Sequence, residues 1–186
     1  MRIIGGSRRG LKLAEVGAGD VAAHLRPTSD RVREAIFNLL INAHGNPVTG
    51  ARVLDLFAGT GALGLEALSR GAAEVTFVDD GAKALALLRA NITKMRAEGE
   101  TQVLRQDARR LGQNPGAAHG LVFLDPPYGK GLGEAALAAA LKGGWLAPHA
   151  MVVWEEGVAV TAPEGFALID QRKYGDTVVT LLKAPE

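Results

Sequence analysis

The sequence predicts an α/β fold with a mostly parallel, seven-stranded sheet, helices on both faces of the sheet and an antiparallel hairpin at its C-terminal end. From Ala51 onward, short apolar segments alternate with segments of helical periodicity, as in parallel strands joined by crossover helices. Glycine-rich turns separate the two kinds of segment, and 24 of the 186 residues are glycine. A chain of this length can bury one sizeable core, so residues 1–186 are predicted to form a single domain.

Residues 1–25 are predicted to form a small β-hairpin extension in front of a core of residues 26–186. Two short apolar segments, 2–4 and 11–14, enclose turn-forming glycines. The first 12 residues carry four basic side chains and no acid. Such a basic patch favours contact with nucleic-acid phosphates, although a solvated charged hairpin has the same pattern. The basic residues are Arg2, Arg8, Arg9 and Lys12.

The elements of the core follow from its apolar pattern. A helix begins after a cap within residues 28–30 and ends near His44, with Val32, Ile36, Leu39 and Leu40 on one face. Residues 174–176 have a turn-like spacing between the last two strands, which predicts the antiparallel hairpin. Strands are predicted at 52–56, 74–79, 102–105, 120–124, 150–155, 167–173 and 176–183. Helices are predicted at 61–70, 81–97 and 132–142, with a short turn near 107–112.

A glycine-rich loop follows the first strand of the core. Gly59, Gly61 and Gly64 form the G-x-G-x-x-G pattern of dinucleotide sites, although a purely structural strand-to-helix turn also fits. Asp55 precedes the loop, where an anionic pyrophosphate has no need of a carboxylate. S-adenosylmethionine (AdoMet) carries an amino group and a sulfonium instead, so this acid favours AdoMet. The residues predicted to bind the cofactor here are Asp55, Phe57, Ala58, Gly59, Thr60 and Gly61.

Acids also follow the next two strands. Asp79 ends the second strand about 20 residues after the first glycine, where an acid meets the ribose of NAD or AdoMet. An ordinary strand-end acid occupies the same place, and the neighbouring Asp80 can share or take over the role. Asp107 follows the third strand and is placed to accept from the adenine amine, with the N–H of Ala108 donating to the ring. A solvated loop acid explains Asp107 nearly as well.

The most informative segment is Asp125-Pro126-Pro127-Tyr128, directly after the apolar strand 120–124. Each proline fixes its own φ and disfavours helix for the residue before it, so the segment is stiff. The Asp125 carboxylate and the Pro126 carbonyl can accept both hydrogens of one amino group, while Tyr128 supplies a stacking face. A plain Pro-Pro turn explains the segment less well, because acids from four strands converge on the carboxyl rim of the sheet, where ligands bind.

These motifs resemble those of the RsmD family, the bacterial 16S rRNA guanine-N2 methyltransferases, and the resemblance runs nearly end to end. The glycine-rich and Pro-Pro motifs are shared by many amino methyltransferases. The N-terminal Arg-Pro-Thr stretch and the C-terminal Tyr-Gly-Asp-Thr stretch are more specific. One departure is Asp79, where the family usually has Glu. The matching segments are 1–6 with 9–10, 26–38, 55–61 with 64–72, 125–128 and 173–177.

The resemblance implies a Rossmann-like class I methyltransferase fold, AdoMet as cofactor and a small-subunit particle as the RNA partner. It implies direct methyl transfer to an exocyclic amine of a flipped-out base that residues 125–128 hold. Arg26, Thr28 and Arg31 join the basic residues of the hairpin as candidate RNA contacts, with helix capping and a surface arginine as the alternative. The alternative functions are an amino methyltransferase acting on adenine in RNA or DNA, and an NAD-dependent oxidoreductase or silent nucleotide-binding module.

The composition excludes several other chemistries. The chain has no cysteine, which excludes disulfides, Cys-ligated zinc or iron–sulfur sites and a thiol nucleophile. Its four histidines are scattered without metal-ligand spacing, and no metal is expected. The formal net charge is only +1, and no apolar run approaches a membrane span or the h-region of a signal peptide. We therefore expect a cytoplasmic monomer.

Overall fold

The computed structural model describes residues 1–15 and 28–186, so the prediction for Arg26 lies outside the described residues. Helices are found at α1 (Asp30–Ala43), α2 (Ala62–Ser69), α3 (Ala82–Met95) and α4 (Leu132–Lys142), with short 3-10 turns at Glu98–Glu100 and Ala108–Arg110. Strands are β1 (Arg52–Leu56), β2 (Glu74–Asp79), β3 (Thr101–Arg105), β4 (His119–Leu124), β5 (Leu146–Glu156), β6 (Ala167–Tyr174) and β7 (Thr177–Lys183).

The seven strands form one sheet in the order β3-β2-β1-β4-β5-β7-β6. Strands β1 to β5 are parallel, and β7 is antiparallel to both β5 and β6. The predicted fold class is therefore confirmed, including the C-terminal hairpin. The strand order reverses at β1, which lies between β2 and β4, and ligands of open α/β sheets bind outside the carboxyl ends of the strands at such a point.

Each face of the sheet is buried under different elements. Phe77 of β2 and Phe123 of β4 belong to the cluster that α1, α2 and α3 cover. The next residues along these strands, Val78 and Leu124, face the opposite cluster, which α4 covers. This alternation follows from the two-residue period of a strand. Within residues 1–15 and 28–186, no helix is long and apolar enough to cross a membrane.

The N-terminal hairpin is looser than the two predicted strands. Within residues 1–15, an isolated bridge joins Arg2 and Lys12, and the Ile3 N–H donates to the Leu11 carbonyl at 2.9 Å. The hairpin is instead fixed to α2 through Glu66, a fully buried acid. The Glu66 carboxylate accepts the backbone N–H groups of residues 4 and 5 at 2.9 and 2.8 Å. The hairpin thus rests on the helix that follows the glycine-rich loop.

Strand β5 begins four residues earlier than predicted. Leu146 pairs with His119 of β4 and Met151 pairs with Leu121, so the register shifts between these pairs. Residues 147–150 form an irregular stretch that includes Pro148, which has no N–H for a ladder. The proline in the sequence pattern therefore led to a strand start that is too late.

Candidate active site

Four acids lie at or just beyond the carboxyl ends of four neighbouring strands of the sheet. Asp55 of β1, Asp79 of β2 and Asp125 after β4 lie on adjacent strands, and Asp107 lies just beyond β3. The predicted convergence of these acids on one rim is therefore what the topology produces. The backbone between the acids and the helices that follow then determines what each carboxylate can bind.

The glycine-rich loop turns sharply between β1 and α2. Phe57, Gly59 and Gly61 all have positive φ, of 59°, 56° and 86°. A Cβ on Gly61 would lie 2.5 Å from Leu88 Cδ1, so this position has no room for a side chain. The Asn91 amide donates to the Thr60 carbonyl at 3.0 Å, which ties the loop to α3. Residues 57–61, called the cradle below, therefore form a sharp turn that packs closely against α3.

Asp55 is buried, and its Oδ2 accepts the Gly64 N–H of α2 at 2.9 Å. The pKa of Asp55 is raised to about 8, chiefly by burial; the Gly64 N–H opposes this rise and the negative charge of Asp79 adds to it. The sequence analysis placed Asp55 beside a bound amino group. In the structure this acid also holds the first turn of α2, a role that the sequence analysis did not anticipate.

Asp79 is fixed by two backbone donors. One carboxylate oxygen accepts the Gly59 N–H and the other accepts the Gly81 N–H, both at 2.8 Å. Burial is the largest cause that raises the pKa of Asp79, against the lowering effect of these two N–H groups. The neighbouring Asp80 is exposed. Of the two candidates for the ribose, Asp79 is the one that the loop holds in place.

Asp107 is engaged by a residue that the sequence analysis missed. The Arg109 guanidinium donates to both oxygens of Asp107, at 3.0 and 2.7 Å, and the Arg109 N–H donates as well. These hydrogen bonds lower the pKa of Asp107, so this carboxylate is a permanent acceptor. Ala108 is buried directly after it. An adenine amine at this site would compete with, or add to, the guanidinium.

The Asp125-Pro126-Pro127-Tyr128 segment lies at the carboxyl end of β4, with Pro126 buried. Thr28 Oγ1 lies 3.1 Å from Asp125 Oδ2. Burial raises the pKa of Asp125 well above its usual range, and the negative charge of nearby Glu155 adds to the rise. Thr28 comes from the residues just before α1, so a distant part of the chain completes this end of the rim.

Tyr128 is held through its hydroxyl. The Tyr128 hydroxyl donates to Glu155 Oε1 at 2.9 Å and lies 3.1 Å from Thr177 Oγ1. Burial raises the pKa of Tyr128, so the hydroxyl stays protonated at all working pH values. A Cβ on Gly157 would lie 3.0 Å from Tyr128 Cδ2, so the ring packs closely against the chain after β5. These contacts fix the orientation of the ring that was predicted to stack on a base.

Glu155 and Thr177 are site residues that the sequence analysis missed. Glu155 is the penultimate residue of the apolar strand β5, as Asp55 is of β1, so the signal was present in the sequence. Thr177 begins β7 and carries no comparable signal. It reaches Tyr128 only because β7 pairs with β5 in the sheet.

The predicted RNA contacts differ in their surroundings. Arg2, Arg9, Lys12 and Arg31 are exposed. Arg8 donates to the Met95 carbonyl at 3.1 Å and to Glu100 at 2.7 Å, so it ties the hairpin to the end of α3. Thr28 is buried and hydrogen-bonded to the carboxyl groups of Asp125 and Glu155, so it is not on an exposed surface that could contact phosphates.

The chain is similar over nearly its whole length to proteins of one family. The family model “Conserved hypothetical protein 95” matches residues 1–183. “Ribosomal RNA small subunit methyltransferase D” of Escherichia coli (strain K12) is 37% identical over 184 residues, covering 97% of this chain and 88% of that protein. “Putative rRNA methyltransferase YlbH” of Bacillus subtilis (strain 168) is 37% identical over 190 residues, covering 98% of both. The solved structure “Putative methyltransferase yhhF from Escherichia coli” has a TM-score of 0.83 and 37% identity, covering 100% of this chain and 98% of that one.

Proposed function

Since the chain belongs to the RsmD family, we propose that it is an AdoMet-dependent methyltransferase that modifies the exocyclic N2 of a guanine in 16S rRNA. The substrate is a small-subunit particle in which the target guanine is unpaired or flipped out. Bound AdoMet would supply the methyl group directly to the amine nitrogen, with cleavage of its sulfur–methyl bond, and the amine would then lose one proton to water; the reaction needs no thiol and no metal. The observation that carries this proposal is the stiff Asp125-Pro126-Pro127-Tyr128 clamp beside the glycine-rich cradle, on adjacent strands of one rim.

The residues of the cradle fit AdoMet. The positive φ of Gly59 and Gly61 produces the sharp turn that this glycine pattern provides in ligand-binding loops. Asp79 would accept the ribose hydroxyls with the lone pairs that its two N–H donors leave over. Asp55 provides a carboxyl acceptor for the amino end of the ligand, and Asp107 accepts at the adenine end. When bound, AdoMet supplies the electrophilic methyl group.

Asp125 and Pro126 act on the nucleophile. The exocyclic amine of guanine is a weak nucleophile, because its lone pair is delocalised into the ring. Hydrogen bonds from the amine to the Asp125 carboxylate and the Pro126 carbonyl localise that pair and aim it at the methyl carbon. They also stabilise the positive charge that develops on nitrogen in the transition state. Correct alignment of the two reacting centres contributes much of the remaining acceleration.

Tyr128 holds the base by stacking. A stacked base gains roughly 1–3 kcal/mol, which offsets part of the few kcal/mol needed to flip it out of a helix. The ring is prepared for this role because its hydroxyl is bonded to Glu155 and lies beside Thr177. RNA phosphates would contact the exposed basic residues of the hairpin and of α1, which are Arg2, Arg9, Lys12 and Arg31.

The proposal is tested with radiolabelled AdoMet and rRNA from a strain that lacks this protein. Small-subunit particles and naked rRNA are offered in parallel, and the product nucleosides are separated. We expect label in N2-methylguanosine at a single position, and comparison of the two substrates shows whether assembly is needed. Label in methyladenosine would favour the adenine alternative. An absence of label, together with thermal stabilisation by NAD and not by AdoMet, would overturn the proposal.

A further inference from the structure

One hydroxyl lies between two acids at the target-base end of the rim. Thr28 Oγ1 is 3.1 Å from Asp125 Oδ2 and 3.0 Å from Glu155 Oε2. A threonine hydroxyl has a single hydrogen, so it can donate to only one of the two carboxyl groups. The other contact is a hydrogen bond only if that carboxyl carries a proton and donates it to Oγ1. The geometry therefore fits a pair of acids that holds one proton between them.

The shared proton can lie on Asp125 or on Glu155, and the two cases differ in how well Asp125 can accept a hydrogen bond from the target amine. If Asp125 carried the proton, Thr28 would donate to Glu155, and Asp125 would be a weak acceptor for an amine. If Glu155 carries the proton on Oε2, Thr28 donates to Asp125 Oδ2, and Asp125 keeps its full charge. The Tyr128 hydroxyl donates to Oε1, the other oxygen of Glu155, and a neutral carboxyl still accepts there.

The burial of the two side chains also favours a protonated Glu155 and an ionised Asp125. Glu155 is only 4% exposed, whereas Asp125 is partly open to the rim. A negative charge costs less at the more open position, and it costs least when a bound amine donates to it. The other acids that face Asp125 are Asp55 of β1 and Glu156 of β5. Each of these accepts a backbone N–H, from Gly64 in the case of Asp55 and from residues 129 and 157 in the case of Glu156.

We propose that Glu155 is a positioning residue that holds the shared proton when the target amine is bound, so that Thr28 donates to Asp125 and Asp125 stays ionised. This inference rests on the proposed function, because it concerns the residue that binds the guanine amine. It also gives Glu155 a second task, which is to hold the hydroxyl of Tyr128. Glu155 thereby connects the charge of the clamp to the orientation of the stacking ring.

The test compares Glu155→Gln with Glu155→Leu. Glutamine reproduces a protonated glutamate, since its amide nitrogen can donate to Thr28 while its oxygen accepts from Tyr128. Leucine has a similar size and can do neither. We expect Glu155→Leu to lower the single-turnover methylation rate on the order of 100-fold. Glu155→Gln should restore the rate to within about fivefold of the natural protein, which is the scale of one altered hydrogen bond.

The pH profile separates positioning from a structural role. If Glu155 is neutral in the active state, Glu155→Gln leaves the acid limb of the rate profile in place, because no charge next to Asp125 has been removed. If Glu155 is ionised there, its removal lowers the pKa of Asp125, and the acid limb moves down by about one pH unit or more. That downward shift, or a Glu155→Gln variant as inactive as Glu155→Leu, would overturn the inference.

Thr28 provides a matched pair of variants. Thr28→Ser keeps the hydroxyl that links the two acids and should retain most of the rate. Thr28→Val keeps the shape but removes the link, and we expect a loss of at least 10-fold with unchanged AdoMet affinity. Equal rates for the two variants would contradict the inference. If the natural protein forms no N2-methylguanosine at all, the proposed function fails, whereas an active protein with the wrong variant pattern refutes only the role of Glu155.

Discussion

The two ends of the carboxyl rim hold their acids with different donors. At the proposed cofactor end, Asp55 and Asp79 accept backbone N–H groups of the glycine-rich loop and the helices that follow. At the target-base end, the hydroxyls of Thr28 and Tyr128 contact the carboxyl groups of Asp125 and Glu155.

The difference lies in what each donor can do. A backbone N–H can only donate, so it fixes a carboxylate as an acceptor. A hydroxyl can donate or accept, so it can follow a proton from one acid to the other. At the first end the hydrogen-bond directions are therefore fixed, whereas at the second end they can reverse when a proton moves between the acids.

The largest expected effect comes from removing the acid of the clamp. Asp125→Ala should lower turnover on the order of 1,000-fold or more, because the target amine loses its charged acceptor. AdoMet affinity should stay within a few-fold, since the cradle on β1 and β2 is untouched. Single-turnover methylation and equilibrium AdoMet binding measure the two quantities. A variant that keeps its turnover would refute the clamp, and one that loses AdoMet binding would show that the two ends are not independent.

A second prediction concerns the pH dependence of stability at the cofactor end. The pKa of Asp55 rises from 3.8 to about 8 on folding, so the folded state holds this proton more tightly than the unfolded state. The stabilisation is complete below about pH 4 and is lost as the pH rises through 8. Asp55→Asn keeps an acceptor for Gly64 but removes the titration. The free energy of unfolding should therefore fall less steeply with rising pH in Asp55→Asn than in the natural protein. The difference between the two slopes should reach up to about 1.4 kcal/mol per pH unit.

Urea unfolding without AdoMet at pH 5, 6, 7 and 8 measures that slope. Asp80→Asn, at an exposed acid beside the same loop, is the control for the loss of one negative charge. An identical slope for Asp55→Asn and the natural protein would mean that Asp55 does not hold a proton in the folded state.

The third prediction tests how tightly the cofactor end is packed. A Cβ on Gly64 would lie 2.4 Å from Phe77 Cε1 and 2.9 Å from Asp55 Oδ2. Gly64→Ala should therefore lower the free energy of unfolding by about 1–3 kcal/mol, as in other overpacked cores. Gly99→Ala is the matched control, because nothing lies within 4 Å of its Cβ position. Equal stability of the two variants in urea unfolding would contradict the packing argument.

The smallest expected effect isolates the hydroxyl of Tyr128. Tyr128→Phe keeps the stacking ring and loses the contacts with Glu155 and Thr177, so kcat should fall about fivefold with little change in KM. The ratio of the kcat of Tyr128→Phe to the kcat of the natural protein should not vary with pH, because the raised pKa of Tyr128 keeps its hydroxyl protonated. Tyr174→Phe, at a half-buried tyrosine in β6, is the control. If kcat fell as much in Tyr128→Phe as in Tyr128→Ala, the hydroxyl would contribute more to the rate than the stacking ring does.

The sequence predicted the sheet because each strand is a local apolar run that turns and glycines bound. It predicted Asp55, Asp79 and Asp125 for the same reason, since each acid lies at the carboxyl end of its own strand or directly after it. The partners of the clamp could not be found in this way. Thr28 is separated from Asp125 by 97 residues and from Glu155 by 127, so no local spacing connects them. Similarly, the contact of Thr177 with Tyr128 depends on the pairing of β7 with β5.

The position of β7 between β5 and β6 has a consequence for synthesis on the ribosome. Residues 151–156 of β5 pair with residues 178–183 of β7, although β6 comes between these two strands in the sequence. Among the described strands, β6 pairs with β7 alone. Until residues 177–183 have been made, β5 is an unpaired edge that carries Val152, Val153 and Trp154, and such edges invite aggregation. A nascent chain arrested before β7 is therefore the form of this protein that most needs a chaperone.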